Sequence, residues 1–137
     1  MYGLTMIHCL IVEDAPVNWM VMQNQLAKLG VQATVCTDGQ QALIHCQTQP
    51  MPALILLDGY MPGMDGISFL KILRAMPGGE KPYVLFCSSS LDKSSVDEAL
   101  ACGADCHFPK PIRQEHLISV LKEVMEREKT AKAGKAE

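Results

Sequence analysis

Three acidic residues in this 137-residue sequence directly follow short apolar runs. Glu13 and Asp14 come after Cys9–Val12, and Asp58 comes after Ala53–Leu57. If these runs are neighbouring parallel strands, the three carboxylates meet at one edge of a sheet, where they repel one another unless a cation lies between them. Because the donors are oxygens, the pattern favours Mg²⁺ over Zn²⁺, with Mn²⁺ as a substitute.

A hydroxyl group and an ammonium group follow two later apolar runs. Ser88 comes after Val84–Cys87, and Lys110 comes after Phe108 and Pro109. Both groups suit the oxygens of a phosphoryl group attached to Asp58, which would be the nucleophile. Phosphoryl transfer depends mainly on positioning and charge, so these residues could carry it with little further help from the protein.

The elements that must position these residues alternate along the chain. Short apolar runs of strand length alternate with longer runs of helical spacing, and three of the strands are apolar almost throughout, which is typical of a parallel sheet covered by helices on both faces. The pattern predicts an α/β domain of five βα units with a doubly wound, five-stranded parallel sheet. The predicted strands are Ile7–Val12, Gln32–Cys36, Ala53–Leu57, Tyr83–Cys87 and Cys106–Phe108.

Helix boundaries are marked by local signals. Pro16 begins the first helix and Gly30 ends it, and Ile67–Ala75 forms the third. Two capping boxes, Asp38 with Gln41 and Ser95 with Glu98, predict helices over 39–47 and 95–102. The last helix ends near residue 128, so the predicted domain covers 1–128 and residues 129–137 are predicted to be a disordered tail.

Composition excludes several classes of protein. Twelve Lys and Arg against fifteen Asp and Glu give a net charge of −3, which argues against a nucleic-acid partner. The longest apolar runs are far short of the ~20 residues that cross a bilayer, so no membrane span is expected. The N-terminus lacks a positive leader, and the six cysteines have no disulfide-scaffold spacing; together these features predict a cytoplasmic protein with reduced thiols.

The segment Leu57–Gly66, with the sequence LDGYMPGMDG, carries a specific resemblance. Together with Glu13-Asp14 before it and Lys110-Pro111 after it, this segment resembles the receiver domain of two-component response regulators (CheY-like). The spacing agrees, since Ser88 lies 30 positions after Asp58 and Lys110 lies 22 after Ser88. The resemblance covers roughly residues 6 to 127.

The resemblance implies a (βα)5 flavodoxin-like receiver fold with strand order 2-1-3-4-5, and it implies a role for each site residue. Asp58 is the expected phosphoacceptor, and Ser88 and Lys110 the expected phosphoryl ligands. The Lys110-Pro111 bond is expected to be cis. The expected protein ligands of Mg²⁺ are Glu13 through water, Asp14 and Asp58 directly, and the carbonyl of Tyr60.

The sequence departs from the family pattern at the switch position, at Ser89, where Ala is more usual, and two positions after Asp58 and Ser88. The switch position three residues before Lys110, usually Tyr or Phe, is His107, with Phe108 beside it. We expect Ser88, His107 and Phe108 to form the switch. The position two after Asp58 is Tyr60, whose ring could shield an acyl phosphate from water, so a long-lived phosphoryl state is predicted.

The expected function is that of a single-domain response regulator. It would accept a phosphoryl group from a sensor histidine kinase or a histidine phosphotransfer protein, and would catalyse only its own phosphorylation and dephosphorylation. It would signal to a downstream protein through the face made by helix 4, strand 5 and helix 5, as a monomer or as a phosphorylation-dependent dimer. Two alternatives are a phosphorylation-independent interaction module and, less favoured because Tyr60 stands where a second Asp is needed, a haloacid-dehalogenase-type phosphotransferase.

Overall fold

The computed structural model describes residues 7–89 and 93–136, with side chains described as far as residue 130. Five parallel strands alternate with five helices and form one sheet in the order β2-β1-β3-β4-β5. The strands are β1 His8–Val12, β2 Gln32–Cys36, β3 Leu54–Asp58, β4 Tyr83–Ser88 and β5 Cys106–Pro109. The helices are α1 Pro16–Lys28, α2 Gly39–Thr48, α3 Gly66–Ala75, α4 Lys93–Ala101 and α5 Gln114–Ala136. The predicted doubly wound α/β fold and its strand order are confirmed.

The central strand β3 explains why the sheet is covered on both faces. All five of its residues are buried, and successive side chains point to opposite faces. Leu54 and Leu56 pack into a core with α1 and α5, whereas Ile55 and Leu57 pack into a second core with α2, α3 and α4. An almost wholly apolar strand therefore requires two layers of helices.

Two of the helices begin at side-chain caps. Asp38 accepts a hydrogen bond from the Gln41 amide at 2.7 Å and caps α2, as predicted. Asp65 accepts one from the Ser68 amide at 2.7 Å and caps α3. The prediction for α4 was wrong at its start: the helix begins at Lys93, so Ser95 lies within the first turn and is not its cap.

The C-terminal helix also differs from the prediction. α5 continues to Ala136, through residues predicted to be a disordered tail. Lys129 and Thr130 are exposed, so these two side chains gain nothing from burial. Its Lys and Ala residues have high intrinsic helix propensity, which the prediction from low apolar content did not weigh.

The cysteines and the apolar segments bear on the chemistry and the surroundings of the chain. All six cysteines are free thiols, and four of them, Cys9, Cys36, Cys46 and Cys87, are buried. In the described part of the chain, no helix has the length and apolar content needed to cross a membrane.

Candidate functional site

The acidic residues predicted to converge do so at the carboxyl ends of β1 and β3. These strands are hydrogen-bonded neighbours, and Glu13, Asp14 and Asp58 each place a carboxylate oxygen within 4.8 Å of the others. Glu13 is 1% exposed and Asp58 4%, while Asp14 is the most exposed of the three. Within residues 7–89 and 93–136 this is the one group of three such residues close enough to share a metal ion.

Lys110 places its ammonium group between two of these carboxylates. Its Nζ lies 2.6 Å from Glu13 Oε1 and 2.9 Å from Asp58 Oδ1. The Lys110-Pro111 peptide is cis, as expected, and the Lys110 amide donates a hydrogen bond to the Ser88 carbonyl at 2.9 Å. The ends of β4 and β5 are thus joined where the lysine enters the site.

The charges of this cluster shift the pKa values of its members. Burial raises the pKa of Glu13, and the Asp58 charge adds to this increase, although the hydrogen bonds from Lys110 and from the Ala15 amide oppose it. Burial by itself would lower the pKa of Lys110, but hydrogen bonds to Glu13 and Asp58 outweigh burial and raise it. Lys110 is therefore a firmly held cation in an acidic site.

Backbone groups of the loop after β3 help to position the Asp58 side chain. The Tyr60 amide donates a hydrogen bond to Asp58 Oδ1 at 3.2 Å, and the Gly66 amide donates one to the Gly59 carbonyl at 3.3 Å. The Tyr60 side chain is 85% exposed. It lines a cavity of about 740 Å³ that also reaches Ser88, so the loop after Asp58 borders open space on this side.

The residues predicted to form the switch are divided between the two faces of the sheet. His107 lies beside Phe86, with ring centroids 6.1 Å apart, and Phe86 belongs to the core with α2, α3 and α4. Phe108 packs on the other core and stacks on His116, with centroids 4.1 Å apart. Ser88 ends β4 and lines the same cavity as Phe86.

Sequence reasoning missed the packing of Phe86 on the loop after Asp58. A Cβ built on Gly59 would lie 2.5 Å from Phe86 Cζ, so this ring occupies the space that any side chain at position 59 would need. The available signal was a glycine directly after Asp58, but nothing local identified its partner 27 positions later.

The donor set fits a hard divalent cation. Three carboxylates and the backbone oxygens of the adjoining loop are the ligands that Mg²⁺ and Mn²⁺ prefer, and waters usually complete the octahedron. Lys110 supplies one positive charge to at least two buried carboxylates, which leaves an excess of negative charge for a metal to neutralise.

Comparison with known proteins identifies the family. The model of the "Response regulator receiver domain" matches residues 9–122. The chain belongs to this family. Among relatives of this receiver domain, the "Probable chemotaxis protein CheY" of Rhizobium etli is 31% identical over 119 residues, which cover 86% of this chain and 92% of the relative. The two-component response regulator ORR42 of Oryza sativa subsp. japonica is 30% identical, and the match covers 93% of both chains.

Solved structures show the same fold. The receiver domain of a Francisella response regulator superposes with a TM-score of 0.79 at 28% identity, covering 88% of this chain and 98% of that one. Vibrio cholerae chemotaxis protein CheY4 gives 0.79 at 25% identity, covering 86% and 98%. Other relatives are much longer: this receiver domain spans 7% of the hybrid signal transduction protein dokA of Dictyostelium discoideum, at 35% identity.

Proposed function

We propose that this receiver domain accepts a phosphoryl group on Asp58 and signals through the resulting change in its surface. The observation that carries the proposal is the position of the Asp58 carboxylate. It is buried at the sheet edge, within 4.8 Å of two further carboxylates and 2.9 Å from the Lys110 ammonium group. A nucleophile, a metal-binding acid pair and a cation are thus within reach of one phosphorus atom.

The chemistry follows from these positions. An Asp58 carboxylate oxygen attacks phosphorus, a new O–P bond forms, and the bond from phosphorus to the nitrogen or oxygen of the donor breaks with its electron pair going to the donor. Lys110 would face the negative charge of the transferred group, and the Ser88 hydroxyl would donate a hydrogen bond to a phosphoryl oxygen. A Mg²⁺ ion held by Glu13, Asp14, Asp58 and the Tyr60 carbonyl would supply the further positive charge that phosphoryl transfer requires.

The donor we propose is a phosphohistidine on a sensor kinase or a phosphotransfer protein. α1 borders the site and exposes three large apolar side chains: Val17 is 73% exposed, Met20 52% and Val21 46%. Val17 and Val21 also line a cavity of about 420 Å³ that extends to Lys110 and Pro111. An apolar helix beside the entrance to an acidic site suits docking of a helical donor protein.

The downstream partner we propose binds the face made by α4, β5 and α5. Leu100 of α4 is 43% exposed and Ile118 of α5 is 40% exposed, which gives this face apolar contact points. His107 is on the strand between these helices. The protein would act on no other substrate, and catalysis would be limited to its own phosphorylation and dephosphorylation.

An intact-mass time course tests the proposal. The protein is incubated with Mg²⁺ and acetyl phosphate beside Asp58→Asn, a chelator control and Glu126→Gln, which changes an exposed acidic residue late in α5. One phosphoryl adduct that requires Asp58 and Mg²⁺ and persists in Glu126→Gln supports the proposal. No adduct, either here or with a phosphorylated kinase, would favour a phosphorylation-independent interaction module.

A further inference from the structure

Phe86 lies in close contact with both ends of the loop that follows Asp58. Its side chain is 2% exposed. A Cβ on Gly59 would lie 2.5 Å from Phe86 Cζ, and one on Gly66 would lie 3.0 Å from Phe86 Cε1. Both distances are shorter than ordinary carbon contacts, so the ring packs directly on the glycine backbone at each end of the loop.

The other neighbour of Phe86 is His107, its partner across the β4–β5 pair. The two ring centroids are 6.1 Å apart with an interplanar angle of 40°, within the range of favourable aromatic pairs. His107 Nε2 is buried and has no hydrogen-bond partner among the residues that the structure describes. One aromatic ring therefore separates an unpartnered imidazole nitrogen from the loop after the phosphoacceptor.

The surroundings of His107 favour its neutral form. Burial lowers its pKa. The charged groups on the neighbouring helix are Lys93, Asp97 and Glu98 of α4, and Glu98 also lines the cavity that Phe86 borders. None of these charges contributes to the shift of the His107 pKa, so none compensates a proton on this ring. The ring is half-buried, and a proton on its buried Nε2 has no acceptor among the described residues, so charging the ring favours a rotation that turns Nε2 toward water and away from Phe86.

We propose that Phe86 is a positioning residue that couples His107 to the loop after Asp58. While His107 is neutral and packed, Phe86 is held against Gly59 and Gly66, and the loop keeps the backbone geometry that presents Asp58. When His107 is charged and turns outward, Phe86 loses its support and the loop loosens. Coupling of this kind is reciprocal. If protonation of His107 changes the equilibrium for phosphorylation of Asp58 by some factor, phosphorylation must change the proton affinity of His107 by that same factor.

The first test needs no phosphorylation and uses NMR of the full chain. Amide signals of Gly59 and Gly66 are followed from about pH 7.5 to about pH 5, across the ordinary pKa of histidine. We expect a component of their shift changes to follow the His107 ring signals and to disappear in His107→Asn. His8→Asn, which changes an exposed histidine on β1, must leave that component in place. Its absence from the wild-type protein would overturn the coupling.

The second test asks whether Phe86 is the link. In Phe86→Leu the His107-dependent component of the Gly59 and Gly66 signals should fall at least about threefold. A smaller, non-planar side chain cannot contact the His107 ring and the glycine backbone at the same time. The matched control is Phe69→Leu, which changes a fully buried phenylalanine of α3 in the same core. Urea unfolding confirms that each variant is folded. Equal losses in both variants would show general loosening of the core and contradict a specific role for Phe86.

The third test rests on the proposed function and adds acetyl phosphate with Mg²⁺, with adduct formation read separately by intact mass. In the phosphorylated protein the proton affinity of His107 should fall by about fivefold or more, the lower end of typical coupling between sites. An adduct with an unchanged His107 titration would overturn the reciprocal coupling. If no adduct forms, the proposed function fails, and the first two tests still decide whether Phe86 couples His107 to the loop.

Discussion

Lys110 is the residue that balances the charge of the site. Its Nζ contacts both Glu13 and Asp58, so it occupies part of the electrostatic role that a metal ion would have. The same contacts mean that a divalent cation must bind beside an ammonium group, which weakens its attraction to the acidic cluster.

Replacing Lys110 should therefore strengthen metal binding and weaken phosphorylation. In Lys110→Ala we expect Mg²⁺ to bind about tenfold more tightly, which corresponds to roughly 1.4 kcal/mol, because one competing cation is lost. Phosphorylation by acetyl phosphate should nevertheless fall sharply. Calorimetric titration with Mg²⁺ measures the first effect, and Lys71→Ala, which changes an exposed lysine of α3, is the control. Weaker Mg²⁺ binding in Lys110→Ala would contradict this electrostatic account.

We expect Tyr60 to influence the lifetime of a phosphoryl group on Asp58. Its amide contacts Asp58 Oδ1, and its side chain is 85% exposed, so the ring is attached beside the proposed phosphoacceptor and is not packed in place. We expect the acyl phosphate to hydrolyse several-fold faster in Tyr60→Asn, since a smaller polar side chain admits and orients water more readily. Decay of the adduct after removal of the donor measures this rate. An unchanged half-life would remove shielding as the reason for a long-lived state.

His45 makes stability depend on pH. Burial lowers its pKa, with a further contribution from His8, on which it stacks at a centroid distance of 5.8 Å. Because the unfolded chain binds this proton more readily than the folded one, stability is full above the ordinary histidine pKa and is lost as pH falls below about 6.5.

The test is urea unfolding from about pH 7.5 to about pH 5.5, a range that spans the histidine pKa. The wild-type protein should lose more stability on acidification than His45→Asn, and His8→Asn should lie between the two because it removes only the His8 contribution. Parallel pH profiles for all three proteins would show that His45 is not responsible.

At the scale of the elements, the join between β3 and α3 is the most constrained part of the site. A Cβ on Gly66 would lie 2.7 Å from the Asp58 carbonyl oxygen and 3.0 Å from Gly59 Cα. Both are backbone atoms that cannot move without displacing the loop. The start of α3 is therefore packed directly on Asp58, the proposed phosphoacceptor.

Gly66→Ala should consequently lower the free energy of unfolding by about 2–3 kcal/mol and slow phosphorylation. The matched control is Gly63→Ala in the same loop. Gly63 has φ of +88° but nothing within 4 Å of a built Cβ, so this change should cost only the strain of a left-handed residue, about 1 kcal/mol. Denaturant unfolding and intact mass measure the two effects. Equal costs for the two variants would show that crowding at Gly66 is unimportant.

At the scale of the whole molecule, Asp105 links the helices on the two faces of the sheet. Its Oδ2 accepts hydrogen bonds from Arg74 of α3 at 3.1 Å and from the Val84 amide at 2.7 Å. Its Oδ1 accepts one from Arg127 of α5 at 3.0 Å. The Arg127 guanidinium also lies over the Tyr83 ring, 4.9 Å from its centroid.

Asp105→Ala should destabilise the protein by about 2–3 kcal/mol, because several charge-assisted hydrogen bonds lose their acceptor together. Glu115→Ala is the contrasting control. Glu115 forms a 3.5 Å pair with Arg113 in which both side chains are at least 70% exposed, and pairs of this kind contribute below about 1 kcal/mol. Urea unfolding measures both, and equal effects would contradict a linking role for Asp105.

The strand pattern and the strand-end residues of this receiver domain could be predicted from the sequence because they depend on local order. Apolar runs of five or six residues predict buried strands, and a carboxylate directly after such a run must lie at the sheet edge. The caps Asp38 and Asp65 were also predictable, since each acts on an amide three residues away. The motif in residues 57–66 also allowed the family and the role of Asp58 to be predicted.

The tertiary structure alone decided which distant residues meet. Lys110 bonds to a glutamate 97 positions earlier, Asp105 collects donors from both faces of the sheet, and Phe86 fills the space that Gly59 leaves open. No local pattern encodes these contacts, because each depends on how strands twist and how side chains from separate elements fill the same volume. The sequence by itself determined the chemical groups of the site and the sheet edge where they gather. Packing decided the distances between these groups, the shifts of their pKa values and the position of the Phe86 ring against the loop.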